Sequence, residues 1–316
     1  MKIIIAGGTG QVGSMLSRAL LERGDDVVVL SRSGTSTARV VPWDGHTLGD
    51  WVHDIDGADV VINLAGRSVN CRYTAANLKE MMNSRRDSTR AVGRAIATVD
   101  RPPKVWLQMS TATIYAHRFE APNDEATGTI GGSEADVPAY WRYSVEIAKE
   151  WERAQQDAPT PKTRQVALRS AIILSPDRGG IFDVLLGLTR LRLGGAIAGG
   201  RQYVSWIHDR DFVRAVEFLI TRDDLTGAVN LCAPCPLPQR DFMAALRAAW
   251  GTRIGLPATA WMAGIGAFVR GTDRELVLKS RRVVPARLLE AGFSFDYPEW
   301  PEAARDIVTR WRAARS

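Results

Sequence analysis

The segment PAYWRYSVEIAKEW, residues 138–151, places two tyrosines and one lysine on a predicted helix. A phenol and an ammonium one turn apart on such a helix form an acid–base pair. The cation favours the tyrosinate, and the phenol passes a proton to an oxygen or takes one from it. At about 100° per residue, positions four apart share a face. Here Ser144 stands four after Tyr140, and Ile147 four after Tyr143. Lys149 follows Tyr140 by nine positions, about 180° around the helix, and Tyr143 by six, about 240°. The lysine is therefore expected to face elsewhere, toward solvent. An unperturbed tyrosine has a pKa near ~10, so without a neighbouring cation Tyr140 is a costly base at neutral pH but still a usable acid. Arg142 and Arg85 are the cations that offer a replacement charge, and spacing alone does not position them.

A second set of residues suits a phosphate. AGGTGQVG carries Gly7, Gly10 and Gly13 at three-residue spacing, after an apolar run and before an amphipathic one. The first glycine permits a sharp turn, the second lets backbone approach a pyrophosphate, and the third lets helix and strand pack closely. The helix start supplies amide donors, so Thr9, Gln11 and Val12 belong to the same expected cradle. The next predicted strand ends in LSRSGTSTAR, with no acid between Asp26 and Asp44 to accept from ribose hydroxyls. Arg32, flanked by Ser31 and Ser33, instead suits a 2′-phosphate, offering a guanidinium fork and hydroxyl donors. The expected cofactor is NADP(H) rather than NAD(H).

These residues need a scaffold that brings strand ends together. KIIIA (2–6), DVVVL (26–30), ADVVINLAG (58–66), KVWLQMS (104–110) and RQVALRSAIIL (164–174) read as buried strands. Helical stretches alternate with them, notably 74–99 and 140–154. The alternation predicts an α/β chain: a Rossmann-type doubly wound parallel sheet over 1–175, with a returning segment at about 205–231. Residues 176–316 are expected to form a smaller, mostly helical C-terminal domain, with substrate in the crevice between the two.

Composition narrows the classes further. No apolar run reaches the ~20 residues a membrane helix needs. The start MKIIIAGGTG is too short in its apolar part for a signal peptide, so a cytoplasmic protein is expected. The net charge is +6, and residues 247–316 hold twelve basic against seven acidic residues, scattered among apolar ones. That pattern reads as a solvated face, with no nucleic-acid-reading motif. Cys71, Cys232 and Cys235 are too few for a disulfide scaffold. CAPC (232–235) is followed by PLP rather than a helix, so it reads as structural loop, and no metal site is expected. A small-molecule substrate, no nucleic acid, no membrane, and a monomer or homodimer are the expected partners and state.

GGTGQVG, INLAG (62–66), STATIYA (110–116), LRSAIIL (168–174) and SWIHDRDFVRA (205–215) together resemble an extended short-chain dehydrogenase/reductase of the NAD-dependent epimerase/dehydratase family. RYT…NSR (72–85), LRLGGAIAGGRQYVSWIH (191–208) and KSRRVVPARLLEAGFSFDYPEW (279–300) resemble a branch with a C-terminal domain of unknown function. The resemblance implies that Leu64, Ala65 and Gly66 line the cofactor and that Glu80 and Arg85 face it. It places Ile173 near the nicotinamide, and makes Thr111 and Tyr140 the catalytic hydroxyls, with Ser144 where the family has lysine. That lysine would hold the nicotinamide ribose and favour the tyrosinate. Arg201, Gln202, Trp206 and His208 are candidate substrate contacts, against the alternative that Trp206 is core and His208 a helix cap. The leading expectation is an NADP(H)-dependent oxidoreductase for a small carbonyl or sugar-like substrate. The alternatives are a non-catalytic NADP(H)-binding redox sensor and a nucleotide-sugar epimerase.

Overall fold

The N-terminal apolar run forms β1 (Lys2–Ala6), buried from Ile3 onward. Alternation along the strand sends Ile3 and Ile5 into one core and Ile4 and Ala6 into another. The computed structural model describes residues 1–135, 137–138, 141–259 and 275–315, and of Leu276 the backbone alone. After β1 come α1 (Gln11–Glu22), β2 (Asp26–Ser31), β3 (Arg39–Pro42), α2 (Val52–Ile55), β4 (Val60–Asn63), α3 (Ala75–Thr98) and β5 (Val105–Thr111). There follow α4 (Trp141–Gln156), β6 (Arg164–Ser170), β7 (Ile172–Leu174), α5 (Ile181–Arg190), β8 (Tyr203–Val204), β9 (Trp206–His208) and α6 (Asp209–Thr221). The rest comprises β10 (Gly227–Leu231), β11 (Leu237–Pro238), α7 (Gln239–Trp250), α8 (Glu275–Leu278), α9 (Ala286–Glu290) and α10 (Trp300–Ala313).

Seven strands form one sheet in the order β3-β2-β1-β4-β5-β6-β10, every pair parallel. This is the Rossmann-type sheet that the alternation of elements predicts. One face is covered by Leu16 and Leu20 of α1 with Phe212, Val216 and Leu219 of α6. The other is covered by Ala91, Val92, Ala95 and Ile96 of α3 with Trp43 and Trp51, packed with Trp106 of β5 itself. Because the strands run one way, their carboxyl ends share one edge. The order reverses between β1 and β4, which opens a crevice there. β3 is an element the pattern does not announce: it has only two valines and ends in Pro42, which an edge strand tolerates.

A third core joins β7, β9, α5, α7 and α10. Trp300 stacks on Phe242 with centroids 4.2 Å apart and packs against Trp206 at 5.1 Å. The C-terminal chain does not stay with this core: Leu288 and Phe293 pack into the first one. Between them and α8, an extended thread binds two loops. Arg281 N–H donates to the Tyr203 carbonyl (2.8 Å), and Asn123 exchanges backbone bonds with Arg282 (2.7 Å) and Val284 (3.0 Å). Among the described residues no helix is long and apolar enough to cross a membrane.

Candidate functional site

The glycine loop joins β1 to α1, and its three glycines meet different constraints. Gly7 has φ +75°, and a Cβ on it would lie 2.8 Å from the Ala65 backbone. A Cβ on Gly13 would lie 2.4 Å from the Gly8 Cα, so α1 sits directly on the loop. Gly10 differs: its backbone is extended, and a Cβ there would meet only the Gly7 oxygen, at 3.7 Å. No side chain caps α1. The loop thus presents helix-terminal amides beside an open glycine face, which fits a pyrophosphate. Val12 and the Gln11 side chain line a small crevice with Met15, Ile173 and Ser175, and Gln11 Nε2 donates to Ser175 Oγ (3.3 Å).

The end of β2 closes one side of this loop. Ser31 is buried and donates to the Ser33 carbonyl (2.6 Å), and the Thr9 and Ser31 hydroxyls share a 2.8 Å bond. Serine and threonine therefore lock the loop to the strand, while Arg32 and Ser33 stand exposed. Arg32 makes no hydrogen bond or ion pair among the described residues. Arg39 is committed to Asp54 and is not a competing free cation. Residues 9 and 31–33 are thus brought together as one corner beside the glycine loop, with Arg32 and Ser33 open to solvent.

Beyond β4, buried Asn63 donates to Gln108 Oε1 (3.0 Å) and accepts the Ala65 N–H (3.0 Å), which shapes the turn through Leu64, Ala65 and Gly66. The turn lies against the glycine loop at Gly7. Glu80 and Arg85 of α3 part company. Glu80 is exposed and paired with Arg67. Arg85 is buried beneath Gly66, donates to the Met81 carbonyl (3.1 Å), and lies 4.8 Å over the Trp151 ring. Burial pulls its guanidinium down to about 10, so it remains protonated at neutral pH.

Thr111 ends β5, and its oxygen accepts the Thr113 N–H (3.2 Å), which leaves the hydroxyl proton available to donate. Its neighbour Ser110 donates to Glu152 Oε1 of α4 (2.6 Å), and Glu152 also holds Arg169 of β6 through both oxygens (2.8 Å each). This buried network fixes α4 against the strand end that carries Thr111. Tyr140 lies outside the described residues. Lys149 pairs with Glu146 at 2.8 Å on the outer side of α4, and Arg142 is exposed. The position where lysine is missing has a partner all the same: buried Ser144 donates to Glu275 Oε2 (2.5 Å). Glu275 Oε1 lies 3.6 Å from Lys279 Nζ, and Lys279 donates to the Thr113 carbonyl (2.9 Å). Lys279 is 2% exposed, and burial pulls its ammonium down to about 8, against the opposing pull of Glu275.

The remaining candidates diverge. Arg201 is exposed, 6.0 Å from the Phe119 ring. Gln202 is buried and donates to the carbonyls of Ile197 (3.1 Å) and Val277 (3.2 Å). Trp206 and His208 are not brought to this face, because β9 is buried on both sides. Trp206 packs in the third core. His208 caps α6: its Nδ1 accepts the Arg210 N–H (3.2 Å), Nε2 donates to Asp306 (3.0 Å), and Tyr297 stacks on the ring at 3.8 Å. Burial lowers its pKa, so the ring is neutral. The three cysteines are free; Cys232 is buried, which pushes its thiol well up, and Cys235 is exposed. A wider surface hollow between Arg90, Arg94, His46 and Asp157 lies away from the glycine loop and holds none of these groups.

Comparison with known proteins agrees with this layout. The model of the NAD dependent epimerase/dehydratase family matches residues 3–232, and that of a domain of unknown function matches residues 260–307. The chain is 31% identical over 314 residues to epimerase family protein SDR39U1 of Bos taurus, covering 98% of this chain and 100% of that one. It is 30% identical to epimerase family protein SERP0438 of Staphylococcus epidermidis, covering 97% and 99%. A crystal structure of human epimerase family protein SDR39U1 (isoform 2) with NADPH superimposes with a TM-score of 0.85 at 27% identity, covering 98% of this chain and 99% of that one.

Proposed function

The chain belongs to the NAD dependent epimerase/dehydratase family, and from that we infer that it is an NADP(H)-dependent oxidoreductase acting on a small carbonyl or sugar-like substrate. The observation that carries the cofactor reading is Arg32, an exposed guanidinium beside Ser33 at the end of β2, where no acid stands. The human relative crystallised with NADPH supports the same choice. In this reading Gly7, Gly10 and Gly13, with the first amides of α1, hold the pyrophosphate, and Arg32 and Ser33 hold the 2′-phosphate. Leu64, Ala65 and Gly66 border the adenosine side and Ile173 the nicotinamide side. When bound, the nicotinamide gives or takes a hydride at the substrate carbon.

The chain's own residues handle the oxygen. Thr111, its lone pair already engaged by Thr113 N–H, turns its proton toward the substrate oxygen and orients it. Tyr140 donates the proton that the oxygen needs as the hydride arrives. Acid catalysis of this kind contributes about 10²–10⁴-fold. In this reading Arg201, exposed beside the Phe119 ring, meets an acidic or hydroxylated substrate.

The test is loss of NADPH absorbance against a panel of aldehydes, ketones and keto-sugars. Tyr140→Phe should lower turnover at least ~100-fold with cofactor affinity unchanged. Tight NADPH binding with no turnover across the panel would favour a redox sensor instead, the reading that Ser144 in the lysine position supports. Substrate conversion without net cofactor consumption would mark an epimerase.

A further inference from the structure

We propose that the outer face of the third core, built from the turn after α5 and the segment after α7, docks on an anionic lipid surface without crossing it. Nine large apolar side chains stand exposed among the described residues, and four of them gather here: Leu191 (68% exposed), Leu193 (48%), Ile254 (50%) and Leu256 (56%). Apolar side chains exposed singly are ordinary, whereas a joined set marks a contact surface. Backbone bonds join these four. Leu256 N–H donates to the Arg192 carbonyl (2.7 Å), and Gly195 N–H donates to the Leu256 carbonyl (3.2 Å). The tip of the turn, Leu191-Arg192-Leu193, is exposed at all three positions. Arg192 holds φ +62°, a backbone region that favours glycine, so a long cation is displayed there against the local preference.

The charge around the leucines is of one sign. No Asp or Glu occurs from 184 to 208 or from 242 to 259, whereas Arg190, Arg192, Arg201, Arg247 and Arg253 do. Arg190, Arg192 and Arg253 are exposed. Asp183, just before the first stretch, is already paired with Arg315 (2.9 Å) and accepts Trp311 Nε1–H (2.6 Å). Beside the turn lie two half-buried indoles, Trp250 and Trp311, with centroids 5.8 Å apart. Arg190 stands 5.6 Å and 5.3 Å from them, Arg312 covers Trp250 at 4.4 Å, and Arg315 covers Trp311 at 4.0 Å.

Aliphatic tips, indoles and guanidinium groups together suit the interface of an acidic bilayer. The aliphatics enter the acyl boundary, the indoles sit at headgroup level, and the cations meet lipid phosphate. A second copy of the chain fits less well, since like faces would set these arginines against each other. A nucleic acid also fits less well. It offers the leucines nothing apolar, and guanidinium groups already cover the rings on which bases would stack. The expectation of no membrane partner rests on the lack of a spanning run, which an interfacial surface does not need. Arg253, Arg312 and Arg315 belong to the basic excess of residues 247–316, which the cofactor site does not use.

The test is co-sedimentation of the full chain with vesicles of phosphatidylcholine alone and of equal parts phosphatidylcholine and phosphatidylglycerol, at low and high salt. Binding is expected to the acidic vesicles only, weakening as salt rises. Leu191→Ser with Leu193→Ser should lower the partition at least about tenfold. Arg192→Gln with Arg253→Gln should lower it about 25-fold, since each arginine near an acidic surface contributes about fivefold. Arg90→Gln with Arg94→Gln removes the same charge from the hollow on α3 and should change it less than about twofold. All six side chains are exposed, so urea midpoints should stay with wild type. No sedimentation with acidic vesicles overturns the proposal. Equal loss in the Arg90 and Arg94 variant does so too, because it reduces the effect to net charge. So does wild-type binding by the leucine variant, which, matched by equal binding to single-stranded DNA, would give the surface to any polyanion. Sedimentation equilibrium without lipid adds a further check. A dimer that the leucine substitutions dissociate would assign the face to a second copy instead, whereas a mass they do not alter leaves the face free for lipid.

Discussion

Replacing Arg32 by alanine is expected to weaken NADPH binding about 10- to 100-fold and to leave NADH binding where it was. Hydrogen bonds to charged groups contribute roughly 1.5–3 kcal/mol, and each 1.4 kcal/mol is about tenfold. The discrimination falls on one side chain because its surroundings offer no substitute. Arg39 is held by Asp54. Ser31 and Thr9 spend their hydroxyls locking the loop to β2. No acid stands where NAD-specific sites place one to accept from the ribose, so removing Arg32 creates no preference for NADH. Fluorescence titration of both dinucleotides at two salt concentrations checks this, and the salt dependence should also fall, since a surface cation–phosphate contact is screened. Equal weakening for NADPH and NADH would mean that Arg32 serves loop structure and that the 2′-phosphate is read elsewhere.

The exposed position of Arg32 at the end of β2 was legible because everything that sets it is local. Strand, glycine turn, helix and the end of the next strand fall within the first 33 residues, and each carries its own periodicity or turn chemistry. The same holds for α3, whose start Thr74 marks by capping the Asn77 N–H (3.2 Å). Legibility fails where contacts are distant. Glu275 and Lys279 stand four apart, a spacing that reads as a solvent-facing helical ion pair, yet they are 1% and 2% exposed. Nothing in RELVLKSRR reveals that Ser144 meets Glu275. Arg85 illustrates the converse. The family resemblance implied a cofactor-facing cation, and the structure lays it under Gly66 against Trp151. The strand SWIH offers no alternation to separate an exposed from a buried side, because β9 has no exposed side.

The glycine loop allows binding and stability to be separated by one methyl group placed at either of two positions. Gly10→Ala should keep the folding midpoint close to wild type while NADPH binding falls at least about tenfold. Its backbone, φ −74° and ψ 171°, suits any residue, and the new Cβ meets only the Gly7 oxygen at 3.7 Å. The cost to folding is the small difference between alanine and glycine at a helix cap, under about 1 kcal/mol. The methyl instead occupies the face that a pyrophosphate must approach. Gly13→Ala should lose both properties. Its Cβ would lie 2.4 to 2.6 Å from the Gly8 Cα, oxygen and carbonyl carbon, all backbone atoms. Gly8 is itself closely packed: a Cβ on it would meet Val29 and Ile5 at 2.8 to 3.1 Å. The helix must therefore lift from the loop, at a cost of roughly 1–3 kcal/mol for overpacking, and its amides leave the phosphate position with it. Urea midpoints and NADPH titrations of the two variants measure both quantities. If Gly10→Ala binds NADPH as wild type does, the open face beside Gly10 is not where the pyrophosphate lies, and the loop serves only to seat α1 on the sheet.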